Sequence, residues 1–235
     1  ISHYRAAIEI NPLYDSAIVN LGTLLAATGK NEEAVNYYLQ AIRGNPDNAH
    51  AHTNLGAAFS AMGKKEEAEK HYRQALKIDQ THVDAFYNLA NLLAEQGKRD
   101  EAAANYRQAI AINPGHSRAH YNYAELLVQT GNINQAIEHF REAARVDATS
   151  FKALNNLGVL LEKQQRHDEA IYYYQKALKL DPEHAGLHFN IGVALGNKGD
   201  LEKAAEHFQK ALELNPQLTQ ARQALNIARE MQKKH

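Results

Sequence analysis

The stretch Asn54-Leu55-Gly56 recurs, with small changes, every 34 residues along the 235-residue chain. The six copies are Asn20-Leu21-Gly22, Asn54-Leu55-Gly56, Asn88-Leu89-Ala90, Asn122-Tyr123-Ala124, Asn156-Leu157-Gly158 and Asn190-Ile191-Gly192. A fixed period of this length is typical of a solenoid built from one repeated supersecondary unit. Asn inside a helix is less favourable than Ala by roughly half a kcal/mol, so its presence in all six copies requires a reason.

The apolar residues around each Asn predict a helix followed by a turn. We number each repeat so that its Asn is the sixth residue; apolar side chains then fall at positions 3, 7 and 10, as Ala17, Leu21 and Leu24 do. This is the spacing of one helix face and not the alternation of a strand. Gly stands at position 15 in five repeats, where a left-handed residue commonly ends a helix. Gln165 breaks this pattern in repeat five.

A second helix is predicted from the spacing of small and aromatic residues. Ala occupies positions 20 and 27 of every repeat, and an aromatic residue stands between them at position 24. The aromatic residues are Tyr38, Tyr72, Tyr106, Phe140, Tyr174 and Phe208. Small residues let two helices approach closely, and the ring fills the remaining space. Pro at position 32 ends this helix, except where Gln80 and Ala148 replace it, and we expect softer corners there.

The repeats follow one another without interruption, which predicts an all-α solenoid of antiparallel helix pairs. Six full repeats are expected at residues 15–48, 49–82, 83–116, 117–150, 151–184 and 185–218. Residues 1–14 match only the second helix of a truncated repeat. Residues 219–235 match one more first helix, whose face toward a second helix is polar, and we interpret it as a capping helix. Because Ile1 falls within a predicted helix, we expect the sequence to be part of a longer polypeptide.

Composition and charge exclude several classes of protein. Apolar residues make up 44% of the chain and charged residues 23%, as in folded proteins. A net charge of -1 gives no overall attraction to nucleic acid or to an anionic membrane. The absence of Cys removes disulfides and thiolate chemistry. Apolar runs are far shorter than the ~20 residues that span a bilayer, so we expect no membrane insertion and a soluble, cytoplasmic segment.

No motif for catalysis or cofactor binding is present. The sequence has no Ser-His-Asp ordering, H-E-x-x-H, Walker loop or G-x-G-x-x-G, so we expect this chain to be neither an enzyme nor a cofactor carrier.

The 13 His residues raise the question of a metal site. Position 4 carries His52, His120 and His188, and position 23 carries His71, His139 and His207. A pair such as His52 and His71 lies within one repeat but lacks the third ligand that a site needs, so we expect no metal. We interpret the alternation as duplication of a two-repeat block, with position 4 at the edge of the helix pair. His116 and His184, in the corners between repeats, are interpreted as surface residues.

These spacings resemble those of the tetratricopeptide repeat family over essentially the whole chain. The resemblance implies a right-handed superhelix of helix pairs, whose concave groove is lined by first helices at positions 2, 5, 6, 9, 12 and 13 and binds peptide segments. The unbroken Asn at position 6 is similar to the superhelical repeat region of O-linked N-acetylglucosamine transferases. There, asparagines hold an extended substrate backbone.

The resemblance therefore implies a peptide-binding row of asparagines. Its members are Asn20, Asn54, Asn88, Asn122, Asn156 and Asn190. A side-chain amide has a carbonyl acceptor and an NH₂ donor, so it can pair with both groups of a peptide unit without reading the side chain. The alternative is that Asn is simply frequent at this site in the family and sometimes bonds a neighbouring repeat. The sequence does not give the side-chain direction, so both interpretations stay open.

Selectivity is expected from other groove residues, namely Tyr87, Tyr121 and Phe189 at position 5 and Asn91 at position 9. Tyr87 and Tyr121 belong to adjacent repeats and are candidates for a pocket that takes apolar side chains. The alternative is a half-buried ring that packs against its own neighbour. Groove charges of both signs argue against nucleic acid as the ligand.

The leading hypothesis is a protein-interaction module that binds an extended peptide in the groove. Within it, the module would be the substrate-recognition arm of a glycosyltransferase whose catalytic part lies outside this sequence. The competing hypothesis is a structural scaffold that self-associates through the solenoid ends, driven by the apolar face of residues 1–14.

Overall fold

The structure, a computed structural model, describes residues 1–233, and every regular element in that range is an α-helix. The helices are α1 (Ser2–Ile10), α2 (Asp15–Ala27), α3 (Asn31–Gly44), α4 (Ala49–Ala61), α5 (Lys65–Ile78), α6 (Val83–Glu95), α7 (Arg99–Ile112), α8 (Ser117–Gln129), α9 (Ile133–Val146), α10 (Phe151–Lys163), α11 (His167–Leu180), α12 (Ala185–Lys198), α13 (Leu201–Leu214) and α14 (Thr219–Gln232). The predicted all-α repeat fold is confirmed. None of these described helices is both long and apolar enough to cross a membrane. Residues 234 and 235 of the predicted capping segment lie outside the described residues.

The helices form two compact bodies, which we call the first body (Ile1–Ala119) and the second body (from His120 onward). In the first body, α2 pairs with α3, α4 with α5, and α6 with α7. Each second helix also packs against the first helix of the next repeat, as α3 does on α4, and consecutive first helices touch, as α2 and α4 do.

The second body repeats this arrangement with α10 paired to α11 and α12 paired to α13. The helices of a pair are antiparallel: Gly192 of α12 faces Phe208 of α13, whereas Gly196, further along α12, faces the earlier Ala204. Helix α14 packs mainly against α13.

The core of each pair is a ring packed into a gap left by a small residue. All six aromatic residues at position 24 are buried, with at most 4% of any side chain exposed. In four repeats the ring faces Gly at position 8; these pairs are Gly22–Tyr38, Gly56–Tyr72, Gly158–Tyr174 and Gly192–Phe208. A Cβ on Gly56 would lie 2.7 Å from Cε1 of Tyr72, closer than side chains tolerate. The Gly of the recurring tripeptide is therefore explained by close helix packing.

The turn inside each repeat uses a left-handed residue. Gly occupies it with φ between 76° and 91° at Gly29, Gly63, Gly97, Gly131 and Gly199. Gln165 takes the same conformation, with φ of 60°, although it carries a Cβ. The turn of repeat five is thus unchanged in shape and strained in its backbone.

The corners between repeats are held by the side chain at position 31, which accepts a hydrogen bond from the backbone N–H two residues later. Asn45 does so at 3.2 Å and Asp79 at 2.8 Å. In the two corners that lack Pro, the hydroxyl of a Thr adds a second bond: Thr81 donates to Asp79 and Thr149 to Asp147, both at 2.7 Å. The corners that we expected to be softer therefore form the same turn with one additional hydrogen bond.

Leu24 departs from the predicted core because it is 36% exposed, whereas Leu92 at the same position of repeat three is 2% exposed. In repeat two, Ala58 at position 10 is buried in one cluster with Leu21 and Leu25 of the preceding first helix. Helix α2 has only α1 before it, and α1 has no buried residue. Leu24 consequently remains partly open to water.

Helix α14 has one apolar and one polar side. Ala221, Leu225 and Ala228 are buried with at most 4% exposed. The opposite positions Arg222, Asn226 and Arg229 are exposed. Charged and amide groups on that side are solvated without a second helix.

Candidate peptide-binding site

Two asparagines of the predicted row share one pocket in the first body. Asn20 of α2 and Asn54 of α4 line a depression of about 330 Å³. The remaining lining residues are Asp15, Ser16, Val19, Thr23, Asn48 and His50. Six of these eight residues occupy positions 2, 5, 6 or 9, which the resemblance assigned to the groove. The lining is mostly amide, hydroxyl and carboxylate, which favours a ligand that offers hydrogen-bonding groups.

The Thr23 hydroxyl links Asn54 to the neighbouring repeat. Asn54 Nδ2 donates to Thr23 Oγ1 at 3.3 Å, and Tyr38 OH donates to the same oxygen at 3.3 Å. Thr23 in turn donates to the carbonyl oxygen of Val19 at 2.9 Å. Burial raises the pKa of Tyr38, the main cause, and the bond to Thr23 opposes this rise. The bond orients the Asn54 side chain and uses one of its two N–H hydrogens. It therefore agrees both with a peptide-binding row and with an Asn that bonds a neighbouring repeat.

The pocket also contains an Asn–Asp pair that the sequence analysis missed. Asn48 Nδ2 donates to Asp15 Oδ2 at 2.6 Å, while Asn48 Oδ1 accepts from the backbone N–H of Ala51 at 2.8 Å and caps α4. The other oxygen, Asp15 Oδ1, is buried without a hydrogen-bond partner among the described residues. The capping role of Asn48 could have been predicted from the sequence, because Asn48 directly precedes a predicted helix and Asn is a preferred N-cap.

A second pocket, in the second body, contains Asn156. It has a volume of about 340 Å³ and is lined by Glu125, Val128, Gln129, Phe140, Asn156, Val159, Leu160 and Lys163. Its wall combines aliphatic side chains with two exposed charges of opposite sign, Glu125 and Lys163. Most of these residues again occupy positions 6, 9, 12 and 13 of repeats four and five.

Tyr121 connects this pocket to the row. Its hydroxyl donates to Glu125 Oε1 at 2.8 Å and accepts from Asn156 Nδ2 at 3.2 Å. Burial, together with the carboxylate of Glu125, raises the pKa of Tyr121. The ring also packs edge-on against Phe140, with 5.4 Å between centroids.

The other residues predicted to give selectivity are half-buried within their own body. The Tyr87 ring lies 4.9 Å from the His116 ring, and the Arg118 guanidinium lies 5.5 Å from the Tyr87 centroid. Phe189 packs against Phe208 at 5.8 Å. These contacts are those of the alternative interpretation, a ring packed on its neighbour.

Asn91 is also engaged, because its Oδ1 accepts a hydrogen bond from Tyr106 OH at 2.6 Å. Of the remaining row members, Asn88, Asn122 and Asn190 are half-buried, while Asn20 is exposed.

One groove carboxylate is already hydrogen-bonded to neighbours. Glu162 Oε1 accepts from Asn197 Nδ2 at 2.7 Å, and its Oε2 lies 2.9 Å from His167 Nδ1. Glu162 stands at position 12 of repeat five, one of the groove positions, but its contacts depend on rotamers and could not be predicted from the sequence.

Two histidine interpretations need correction. His116 and His184, interpreted as surface residues, are half-buried and accept backbone hydrogen bonds through Nδ1, at 3.0 Å from Ala119 and 3.1 Å from Leu187. They cap helices as Asn48 does. Within residues 1–233, no three His, Cys, Asp or Glu side chains are placed to share a metal ion.

Solved structures provide a comparison of the fold. YrrB, described as a TPR protein with an unusual peptide-binding site, is 24% identical, with a TM-score of 0.71 over 80% of this chain and 96% of that one. PilF of Pseudomonas aeruginosa is 22% identical, with a TM-score of 0.74 over 94% of this chain and 97% of that one. MamA is 22% identical, with a TM-score of 0.65 over 73% and 94%. Identities of this size show a shared fold only.

Family models give a more direct assignment. Residues 43–235 match the model of the cilia and flagella-associated protein 70 C-terminal domain, and residues 22–63 match the TPR repeat model. No curated protein matches the chain. The chain therefore belongs to the tetratricopeptide repeat family and, over residues 43–235, to the family of that C-terminal domain.

Proposed function

We propose that this chain is a protein-interaction module without enzymatic activity, and that its first helices bind an extended peptide segment of a partner protein. The observation that carries the proposal is the convergence of Asn20 and Asn54 on one polar pocket. YrrB, a TPR protein with an unusual peptide-binding site, has a similar fold, which adds support to the proposal.

The chemistry of the pocket favours recognition of a backbone. Asn54 is oriented by Thr23 and still has a carbonyl oxygen and a second N–H hydrogen for a ligand. Asn20, one repeat earlier, is exposed beside it. Two amides that line one pocket can pair with two peptide groups of one extended segment, and each bond contributes about 1 kcal/mol net.

Side-chain selectivity is assigned to the pocket around Asn156. Val128, Val159 and Leu160 offer apolar contact, and Glu125 and Lys163 offer charge of either sign. We infer that a partner presents an apolar residue there, flanked by polar ones.

Backbone N-methylation tests this proposal. Peptides of about 15 residues selected from a random display library would be compared with versions methylated at single amide nitrogens. We expect the Asn20→Ala/Asn54→Ala variant to bind about tenfold more weakly or worse, because two bonds are lost. The control is Asn36→Ala, an exposed Asn of α3 outside both pockets. Equal affinity of the double variant and the control, or indifference to N-methylation, would contradict the proposal.

We further propose that the row of asparagines serves a glycosyltransferase as its substrate-recognition arm. The uninterrupted Asn at position 6 is the feature that supports it. The complete reading frame tests it: a sugar-transferase domain on the same polypeptide is expected, and a different catalytic domain would refute it.

A second candidate function is self-association through the N-terminal face. Ile10 is 87% exposed and Leu13 is 76% exposed, which leaves apolar area open to water. Light scattering at rising concentration distinguishes the two functions. A monomer throughout argues against assembly and leaves peptide binding unaffected.

A further inference from the structure

Three histidine pairs join the two helices of alternate repeats. The Nδ1 atoms are 3.0 Å apart in His52–His71, 2.9 Å in His120–His139 and 3.1 Å in His188–His207. Each pair connects position 4 of the first helix with position 23 of the second helix, in repeats two, four and six. His52 and His120 at position 4 are buried, each with 6% exposed.

The backbone fixes which nitrogen carries the proton. His52 Nε2 lies 3.2 Å from the carbonyl oxygen of Pro46, and His188 Nε2 lies 3.3 Å from that of Pro182. A carbonyl oxygen only accepts, so Nε2 of each ring must be the protonated nitrogen. In the neutral ring Nδ1 is then an acceptor, and the partner, His71 or His207, must donate from its own Nδ1.

This arrangement excludes a charge on both rings at once. A proton added to Nδ1 of His52 would place two N–H groups face to face at about 3 Å, which is repulsive, and would bring charge into a poorly solvated contact. The helix pair must open before both rings can hold a charge.

The surrounding charges do not reverse this preference. Around the first pair, burial is the main cause that lowers the pKa of His71 to about 4, followed by the charges of His52 and Lys70. Burial also lowers the pKa of His52, against the Pro46 carbonyl and Asp47, which both favour the charged ring.

The other two pairs follow the same balance. Burial and His120 lower the pKa of His139 to about 4, although Glu138 and Glu142 oppose them. Glu142 is itself bonded to Arg145 at 2.8 Å, which weakens its effect. Burial and His188 lower the pKa of His207.

Repeats one, three and five have no such pair. Position 4 there holds Ile18, Phe86 and Leu154, and position 23 holds Tyr37, Asn105 and Tyr173. In repeat one, Tyr37 packs against Ile18 in an apolar contact. None of these six side chains is an imidazole.

We propose that the histidine pairs make repeats two, four and six open in mild acid while repeats one, three and five stay closed. The chain thereby contains a proton-sensitive device with a period of two repeats. An apolar pair at the same two positions removes the sensitivity.

The sign follows from proton linkage. The folded state keeps these rings neutral, so the unfolded chain binds more protons below its own pKa of 6.5. The stabilisation is complete above pH 6.5 and is lost as the pH falls toward about 4. For His71 alone, the opening equilibrium is expected to rise about twentyfold between pH 7 and pH 5.

Hydrogen exchange on the whole chain tests the proposal. Between pH 7 and pH 5, after correction for the intrinsic exchange rate, protection should fall in α4–α5, α8–α9 and α12–α13 and persist in α2–α3, α6–α7 and α10–α11. The matched variant His188→Leu/His207→Tyr copies Leu154 and Tyr173 of repeat five. It should retain protection of α12–α13 at pH 5 and leave α4–α5 acid-sensitive.

Two further measurements keep the test decisive. His207→Gln retains an N–H donor for His188 without a titrating group, and serves if the double variant does not fold. Histidine ¹⁵N spectra at pH 7 should show His188 protonated at Nε2. His50 and His82, whose rings are 4.5 Å apart, remain in every variant and contribute a common background. Equal acid loss in all repeats, or unchanged acid loss in α12–α13 of both variants, would overturn the proposal.

Discussion

Phe208 lies so close to Gly192 that a Cβ on the glycine would be 2.6 Å from Cε1 of the ring. Gly192→Ala should therefore destabilise the chain by about 1–3 kcal/mol in urea unfolding, because the gain in helix propensity is smaller than the cost of overpacking. Gly196→Ala, one turn later in α12, would meet only Ala204 at 3.8 Å and should stabilise by about 0.5–1 kcal/mol. If both variants gain stability, the packing explanation for Gly at position 8 is wrong.

Gln165 should be replaceable by Gly with a gain in stability. Its φ of 60° costs about 1 kcal/mol for a residue with a Cβ, and Gly removes that cost. The greater freedom of Gly in the unfolded chain offsets part of the gain. Gln165→Gly is expected to raise the free energy of unfolding by about 0.5 kcal/mol. The reciprocal variant, Gly131→Gln in repeat four, should lower it. A melting temperature that moves the same way in both variants would exclude backbone strain as the cause.

Loss of the Tyr121 hydroxyl should affect stability and ligand binding separately. Phe retains the contact with Phe140 but removes the bonds to Glu125 and Asn156. We expect Tyr121→Phe to reduce the free energy of unfolding by about 1 kcal/mol. Peptide affinity should change as well, because the Asn156 amide is no longer held. Tyr172→Phe, at an exposed tyrosine of α11, is the control. No difference between the two variants would contradict the role given to this network.

Glu69 is expected to cause a further loss of stability at a lower pH than the histidine pairs do. We call this fall in the free energy of unfolding with falling pH the acid limb. Its side chain is 19% exposed, and burial alone would raise its pKa, but bonds from Lys98 and Gln96 and the charge of Arg73 lower it overall. The stabilisation is therefore present above the unfolded pKa of 4.5 and is lost as the pH falls below it. Glu69→Gln should cost about 1 kcal/mol at pH 7 and flatten the limb below pH 4.5, whereas the exposed Glu66→Gln should do neither. Unfolding curves between pH 7 and pH 3 would show a persistent limb if another carboxylate were responsible.

The repeat could be predicted from the sequence because it depends on the spacing of residue types and not on side-chain geometry. The buried rings such as Tyr38 and the left-handed Gly residues follow from spacing alone. The partner of Gly at position 8 could also have been found, because Gly and the ring at position 24 recur together. Exposure of Leu24 could not, because it depends on which helices are neighbours at the start of the stack.

The sequence indicates which positions line the two pockets but not the contacts within them. Positions 6 and 9 do line the pockets, yet the bonds from Asn54 to Thr23 and from Asn156 to Tyr121 depend on rotamers and on the distance between repeats. Periodicity does not encode either quantity. The sequence shows that His52 and His71 belong to one repeat, whereas their contact and the burial of His52 could not be predicted from it.

The position 31 turn has a consequence for how such chains change length. Six corners are each closed by a side chain and the backbone N–H two residues later, a bond between neighbours in the sequence; they are the corners at Asn11, Asn45, Asp79, Asn113, Asp147 and Asn215. A 34-residue segment that begins and ends at these corners, which we call a cassette, contains all the residues that form its own corner turn. Arrays of this sequence should therefore lengthen or shorten by whole cassettes, with each new junction formed from residues that arrived together.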